Sequence, residues 1–248
     1  ALVRERFPWV QLIENAENVG FARANNQGID LSQGQYVLLL NSDTKVIDDP
    51  FSPMMQYLSE SPHVAAVGCR LLNHDGTIQS YPSRTLNLWT LLLLLWRLPG
   101  YTAFWRGVGD TELPCEVERL KGACMMIKRE AIADVGLLDE GYVLYCEEDD
   151  WCLRALRNGW RLVFYPLAEI VHYGGASTKQ VSAASRAQLY KSRIRYLYKH
   201  YGNMSAWLYK MAVYLTYKSI TFYRRFASGP ESKSDVEYDE LFRMLGDS

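Results

Sequence analysis

The strongest constraint in this sequence is Tyr36–Leu40, five apolar residues that run into Asn41-Ser42-Asp43 and lie between two stretches of helical periodicity, Phe21–Leu31 and residues 49–60. An apolar run without alternation, with a helix on either side, predicts a strand buried on both faces, as in a parallel sheet. The pattern continues. Residues 64–68 and 120–128 predict further strands, residues 129–135 and 151–158 helices, and residues 161–165 and 169–172 short extended pieces around Pro166. Residues 10–14 predict a short strand before the first helix. Gly34 and Gly159 mark helix ends, and Pro50 sits in a first helical turn. The alternation predicts an α/β fold. Two long helical patterns follow at 188–201 and 206–226, then an acidic tail from 229 that frays.

Composition limits what such a chain contacts. With 248 residues it carries between one and two domains and buries a sizeable core without staples. The net charge of −1 excludes a whole-molecule basic footprint, so nucleic acid is not the expected partner. The charge is unevenly spread. Residues 171–230 hold ten Lys or Arg (among them Lys179, Arg195, Lys199, Lys210 and Lys218) and no acid, leaving 17 Lys and Arg against 28 Asp and Glu elsewhere. A basic, aromatic-rich arm suits an anionic lipid or phosphate surface, and equally a solvated helix face. Residues 86–99 are apolar nearly throughout but too short to span a bilayer, which leaves a buried helix or one lying in an interface. Five cysteines without a C-x-x-C pair fit neither a disulfide framework nor a zinc site and point to a reducing compartment. Residues 1–8 lack a signal-peptide pattern, and the absence of an initiator Met suggests a chain that begins inside a longer protein.

Three groups of residues could carry chemistry. Asp43 follows an apolar strand, the place where ligands of open α/β sheets bind, and could hold a divalent cation on a diphosphate; Asn-Ser-Asp is also good turn chemistry. Glu147, Glu148, Asp149 and Asp150 are consecutive. The macrodipole of a helix accounts for one or two acids in its first turn, whereas crowding four raises the pKa of at least one, as a general base requires. His172 ends an apolar stretch and is either a structural histidine or an imidazole ligand completing a shell begun by Asp43.

In their order these segments resemble glycosyltransferase family 2, in particular its bacterial rhamnosyltransferase-like members. Residues 18–28 (NVGFARANNQG) are similar to the family's N-x-G-F-A-x-A-N-N-x-G segment, and Leu39-Leu40-Asn41-Ser42-Asp43 to its variant of D-x-D. Residues 122–129 and 135–140 resemble the stretch before the catalytic acids, residues 147–154 (EEDDWCLR) resemble E-D-x-D-L-C-x-R, and His172 resembles a late metal-binding histidine. The resemblance covers about residues 15–201.

The resemblance implies an α/β fold of the GT-A type: a mostly parallel sheet flanked by helices, with a C-terminal helical extension. It implies a catalytic domain over 1–178, incomplete at its N-terminus by roughly one βαβ portion, a basic helical extension over 179–228 and a flexible acidic tail over 229–248. The implied activity is inverting transfer of a sugar, rhamnose from a dTDP donor being one candidate, to a glycan or polyprenyl-linked acceptor at the inner, cytoplasmic face of the cell membrane. Mg²⁺ or Mn²⁺ would be held by Asp43 and His172. Glu148 is the expected base, with Glu147 and Asp149 as rivals. Asn18, Gly20, Phe21, Asn25, Asn41, Asp43, Gly122, Ala123, Asp150 and Arg154 are the expected donor-binding set, and Asp139 shapes the site. Two other readings use the same residues: a non-catalytic membrane-peripheral binding module, and a nucleotidyltransferase, against which His172 and the spacing around Asp150 speak.

Overall fold

The computed structural model describes residues 2–80, 84–99, 111–174 and 183–228. Its strands are β1 (Tyr36–Leu40), β2 (Thr44–Val46), β3 (Val64–Leu72), β4 (Ile78–Ser80), β5 (Cys115–Val117), β6 (Cys124–Lys128) and β7 (Arg161–His172). Its helices are α1 (Leu2–Arg6), α2 (Phe21–Leu31), α3 (Phe51–Glu60), α4 (Leu88–Trp96), α5 (Arg129–Val135), α6 (Glu147–Arg157) and α7 (Ala183–Ser228).

The strands form one sheet in the order β1-β6-β3-β7-β2, with β4 beside β3 and β5 beside β7. The α/β architecture with flanking helices and a C-terminal helical extension is the expected one; the strand directions differ from a mostly parallel sheet. Among the described residues only β3 and β7 pair in parallel, and β6 lies antiparallel between β1 and β3. Continuous apolarity reports burial on both faces and is silent on direction, and all five residues of β6 are buried. With β6 reversed between them, β1, β3 and β7 still run the same way, so their carboxyl ends meet at one edge of the sheet.

Side chains divide between the faces with period two. Val37, Leu39, Met125 and Ile127 pack with Ala22 and Ile29 of α2, Ile132 of α5 and Trp151 of α6. Cys124, Met126, Val67 and Leu71 pack with Met54 and Leu58 of α3 on the other face. Trp151 is fully buried and its indole N–H donates to the Gly136 carbonyl at 2.8 Å, so a large apolar body, worth roughly 1.5–3 kcal/mol, enters the core with its polar atom satisfied.

A third core joins α4, Tyr142, Cys146, Leu153 and the C-terminal helix, where Tyr190, Tyr196, Tyr209 and Val213 are buried. α7 breaks at Gly202 (φ 83°, ψ 173°), which separates the two helical patterns read from the sequence. α4 packs against the C-terminal helix, as the buried reading has it: Leu91 is fully buried and the Trp96 indole donates to Thr216 Oγ1 at 2.7 Å, while Trp89 is exposed. Residues 10–14 form no strand; Val10 and Leu12 are exposed, and an apolar alternation becomes a strand only where an edge pairs with it. The extended pieces around Pro166 are one strand whose register shifts against β3 between Cys69 and Arg70. Lys179 and the tail 229–248 lie outside the described residues.

Candidate active site

The edge where β1, β3 and β7 end opens into a cleft of about 360 Å³. Its lining combines Phe21, Asn41, Gly122 and Ala123 from the expected donor set with Glu147, Glu148 and His172.

β2 brings Asp43 to His172. Thr44 stands opposite His172 in the β2–β7 ladder, and the Tyr173 N–H donates to the Asp43 carbonyl at 2.9 Å. Asp43 Oδ1 then lies 3.2 Å from His172 Nε2, and Asn41 Nδ2 lies 3.4 Å from the same nitrogen. Gln79 of β4 orients the ring: its Nε2 donates to the His172 carbonyl at 2.7 Å, and its Oε1 accepts from Nδ1 at 2.6 Å. With Nδ1–H so engaged, Nε2 turns a lone pair toward the Asp43 carboxylate, two donor atoms converging. Their separation suits neighbouring ligands of one small hard cation with bonds of about 2.1 Å. Among the described residues no group of three or more His, Cys, Asp or Glu side chains converges. A carboxylate and an imidazole are donors that Mg²⁺ or Mn²⁺ accept, ions that take one or two protein ligands and fill the rest of the shell with water and phosphate oxygens.

The four acids open α6, four residues earlier than the periodicity predicted, because carboxylates in a first turn are favoured by the helix dipole. They face different ways. Glu147 and Glu148 line the cleft, and the Oε2 atom of each is buried without a hydrogen-bond partner. Asp149 turns to Arg119, its Oδ1 3.3 Å from Nη1, both side chains buried. Asp150 is fully buried away from the cleft lining: Arg154 Nε meets its Oδ2 at 2.8 Å, while Lys199 Nζ and His200 Nε2 each meet Oδ1 at 2.7 Å. Arg154 also donates to the carbonyls of Val135 and Leu137. Asp139 pairs with Arg195 and Lys199 at 3.0 and 2.7 Å. Part of the basic arm thus pairs within the molecule, holding the C-terminal helix to the acid-bearing segment at its partly exposed edge.

Electrostatics separates the acids further. Burial, then the charge of Glu148, pushes Glu147 up to about 8. Burial and Asp149 also raise Glu148, against the pull of Lys121 and Arg119 toward the ionised form. Burial alone would raise Asp150, but its bonds to His200, Lys199 and Arg154 outweigh that and hold it well below the carboxylate range. A folded-state value near 8 against an ordinary 4.5 means that folded Glu147 keeps a proton that the unfolded chain releases, so this group costs increasing stability as pH rises from about 4.5 to about 8. Glu147→Gln is therefore expected to raise the thermal midpoint at pH 8 by at least roughly 2–4 °C, the shift that 1 kcal/mol produces in a chain of this size, with little gain at pH 4.5. Calorimetric scans at both pH values check this; an equal gain at both would place its cause elsewhere.

The N-x-G-F segment shapes this site through its backbone. Asn18 Oδ1 accepts from the Gly20 N–H at 3.0 Å, and Asn25 Nδ2 donates to the Phe21 carbonyl at 2.8 Å. Gly20 has φ 83°, and a Cβ there would stand 2.7 Å from the Val143 carbonyl oxygen, which accepts from the Phe21 N–H at 3.1 Å. Buried Asn26 donates to the Leu138 carbonyl and accepts from its N–H. Tyr145 and Cys146, immediately before the acids, both hold left-handed φ values near 70°, a conformation costing non-glycine residues about 1–2 kcal/mol each. Of the expected donor set, Asn18, Gly20, Asn25, Asp43, Asp150 and Arg154 lie outside the cleft lining, Asp43 reaching it only through His172. Sequence reasoning passed over Gln79, Lys121, Leu144 and Tyr145, which belong to it. Lys121, a lone charge inside an apolar run, was the one detectable signal.

Known proteins share this arrangement of segments. Residues 2–136 match the model of "Glycosyl transferase family 2". An N-acetylglucosaminyl-diphospho-decaprenol L-rhamnosyltransferase of Mycobacterium tuberculosis is 28% identical over 213 residues, 78% of this chain and 68% of the relative. The rhamnosyltransferase WbbL of Escherichia coli is 23% identical over 192 residues, 72% of this chain and 70% of the relative. In fold, the chain is similar to the mannosyltransferase PcManGT of Pyrobaculum calidifontis, solved with GDP-Man and Mn²⁺, at a TM-score of 0.52 and 16% identity, covering 98% of this chain and 68% of that one. The family match spans more than half of the chain and takes in the N-x-G-F segment, Asp43 and Gly122, so this protein is a member of glycosyl transferase family 2.

Proposed function

We propose that this glycosyltransferase moves a deoxyhexose, rhamnose foremost, from a nucleoside-diphosphate donor to a hydroxyl of a lipid-linked glycan with inversion at the anomeric carbon. One observation carries the reading: His172, with Asp43 Oδ1 3.2 Å from its Nε2, lines the same cleft as Glu147 and Glu148, whose Oε2 atoms are buried without a partner. Asp43 and His172 would hold the divalent metal, whose charge, when it is bound, offsets the charge growing on the departing diphosphate. Glu148 takes the proton from the acceptor hydroxyl as its oxygen attacks the anomeric carbon from the face opposite the leaving group; the bond from that carbon to the diphosphate oxygen breaks. Lys121 favours the ionised form of Glu148, whereas burial keeps Glu147 protonated at neutral pH, so Glu147 is a hydrogen-bond donor in the cleft and Glu148 the base. Phe21, Asn41, Gly122 and Ala123 would contact the donor, and Asp150 and Arg154 would brace α6.

The acceptor class follows the name of the mycobacterial relative, whose substrate is a diphospho-decaprenol. An exposed apolar stripe supports it. Met204, Trp207, Leu208, Leu215 and Phe222 recur at i, i+3, i+4 and i+7 spacing on the outer side of α7, with Trp207 56% and Phe222 75% exposed. No helix among the described residues is long and apolar enough to cross a membrane, so the contact proposed is peripheral. The five cysteines are free, which suits the cytoplasmic face.

The test offers dTDP-rhamnose and a polyprenyl-diphospho-N-acetylglucosamine in anionic vesicles with Mn²⁺. Rhamnosylated lipid of inverted anomeric configuration is expected, together with co-sedimentation that Leu215→Glu weakens. Vesicle binding without transfer from dTDP-, UDP- or GDP-sugars would favour the alternative, a non-catalytic membrane-peripheral module.

A further inference from the structure

We infer that Ser192, on the C-terminal helix, is a positioning residue for sugar transfer: its hydroxyl clamps the Leu144 carbonyl and thereby holds the left-handed Tyr145–Cys146 pair from which Glu147 and Glu148 enter the cleft. The inference rests on the proposed function, in which those acids meet the reacting groups.

Two consecutive non-glycine residues in the left-handed region persist only where their surroundings overdetermine them. Three fixings meet here. On the N-terminal side, the Phe21 N–H donates to the Val143 carbonyl. On the C-terminal side, the Asp150 N–H donates to the Cys146 carbonyl at 2.8 Å, the first bond of α6. Between them, Ser192 Oγ donates to the Leu144 carbonyl at 2.7 Å. Ser192 is buried, and its Oγ accepts from Gln188 Nε2 at 3.2 Å, which leaves the hydroxyl proton for Leu144. Leu144 and Tyr145 themselves line the cleft beside the acids, so the clamp acts on its wall. The rest of α7 grips the same segment from below, through Lys199 and His200 on Asp150 and through Tyr190 and Tyr196 packed with Cys146. Those contacts anchor α6 as a body, whereas the Ser192 bond holds the carbonyl that leads into the two-residue turn aiming its first acids.

Losing a clamp of this kind is expected to cost reactivity more than binding, because a displacement of about 1 Å at a reacting group lowers turnover by up to roughly a hundredfold. Ser192→Ala in the full chain is expected to lower kcat with dTDP-rhamnose by about tenfold or more, with the donor KM within about twofold. Amide hydrogen exchange over residues 143–150 should quicken while the thermal midpoint holds, and Ser192→Thr, which keeps the hydroxyl, should recover most of the turnover. Unchanged exchange over 143–150 in Ser192→Ala overturns the positioning role, whatever the turnover. Faster exchange with unchanged kcat also overturns it, and does so by showing that the acids of α6 do not take part in the slow step. Loss of kcat and stability together, without rescue by Thr, reduces Ser192 to a folding contact.

Discussion

Glu148→Gln is expected to lower sugar transfer by about 10²–10⁴-fold while nucleotide binding changes little, because the substitution keeps the volume of the side chain and removes only its capacity to accept a proton. The expectation comes from the way the four acids divide. Asp150 is held ionised by Arg154, Lys199 and a hydrogen bond to His200, and Asp149 is turned to Arg119, so neither lines the cleft. Glu147 and Glu148 both do, and they repel one another; burial and the charge of Glu148 push Glu147 up to about 8, while Glu148, also raised by burial and Asp149, is the one that Lys121 and Arg119 pull toward the ionised form. Steady-state transfer assays on Glu148→Gln and Glu147→Gln check the division. A Glu147→Gln variant that loses more turnover than Glu148→Gln would exchange the two roles.

Asp43→Ala is expected to abolish Mn²⁺-dependent binding of dTDP, weakening it by roughly a hundredfold or more, since a bound metal contributes several kcal/mol of charge stabilisation and this site offers one carboxylate. Without Asp43 the cleft keeps His172 and Asn41, a nitrogen and an amide, which do not offset the charge of a divalent cation. Calorimetric titration of dTDP and UDP with and without Mn²⁺, on the parent chain and the variant, separates the cases. Binding that is equally tight in both proteins, or equally tight without metal, would remove Asp43 from the donor site and leave the Asp43–His172 contact as a structural one between β2 and β7.

Much of this was legible in the residues. β1, α2 and α5 have the bounds that apolar runs and small-residue periodicity assign them, because each is decided by neighbours within a turn or a strand. The meeting of Asp43 with His172 was legible only through the order of the motifs, since 129 positions separate the two residues in the sequence and a strand ladder brings them together. Gln79 carried no signal at all. It is one polar residue on a three-residue strand, and it matters because β4 lies beside β3 where His172 ends β7.

The sequence by itself determined the α/β alternation, the apolar strand ending in a carboxylate and the crowding of acids that no helix needs for stability alone. Tertiary structure decided what those features became. It reversed β6 between two strands of the other direction, which hydropathy does not encode. It sent Asp149 and Asp150 to cations and left Glu147 and Glu148 in the cleft, a choice made by Arg119, Arg154, Lys199 and His200 arriving from other elements. It also drew part of a basic arm onto Asp139 and Asp150. Each of these outcomes depends on which distant groups share a low-dielectric interior, where an unpaired charge is expensive and a paired one is fixed in place.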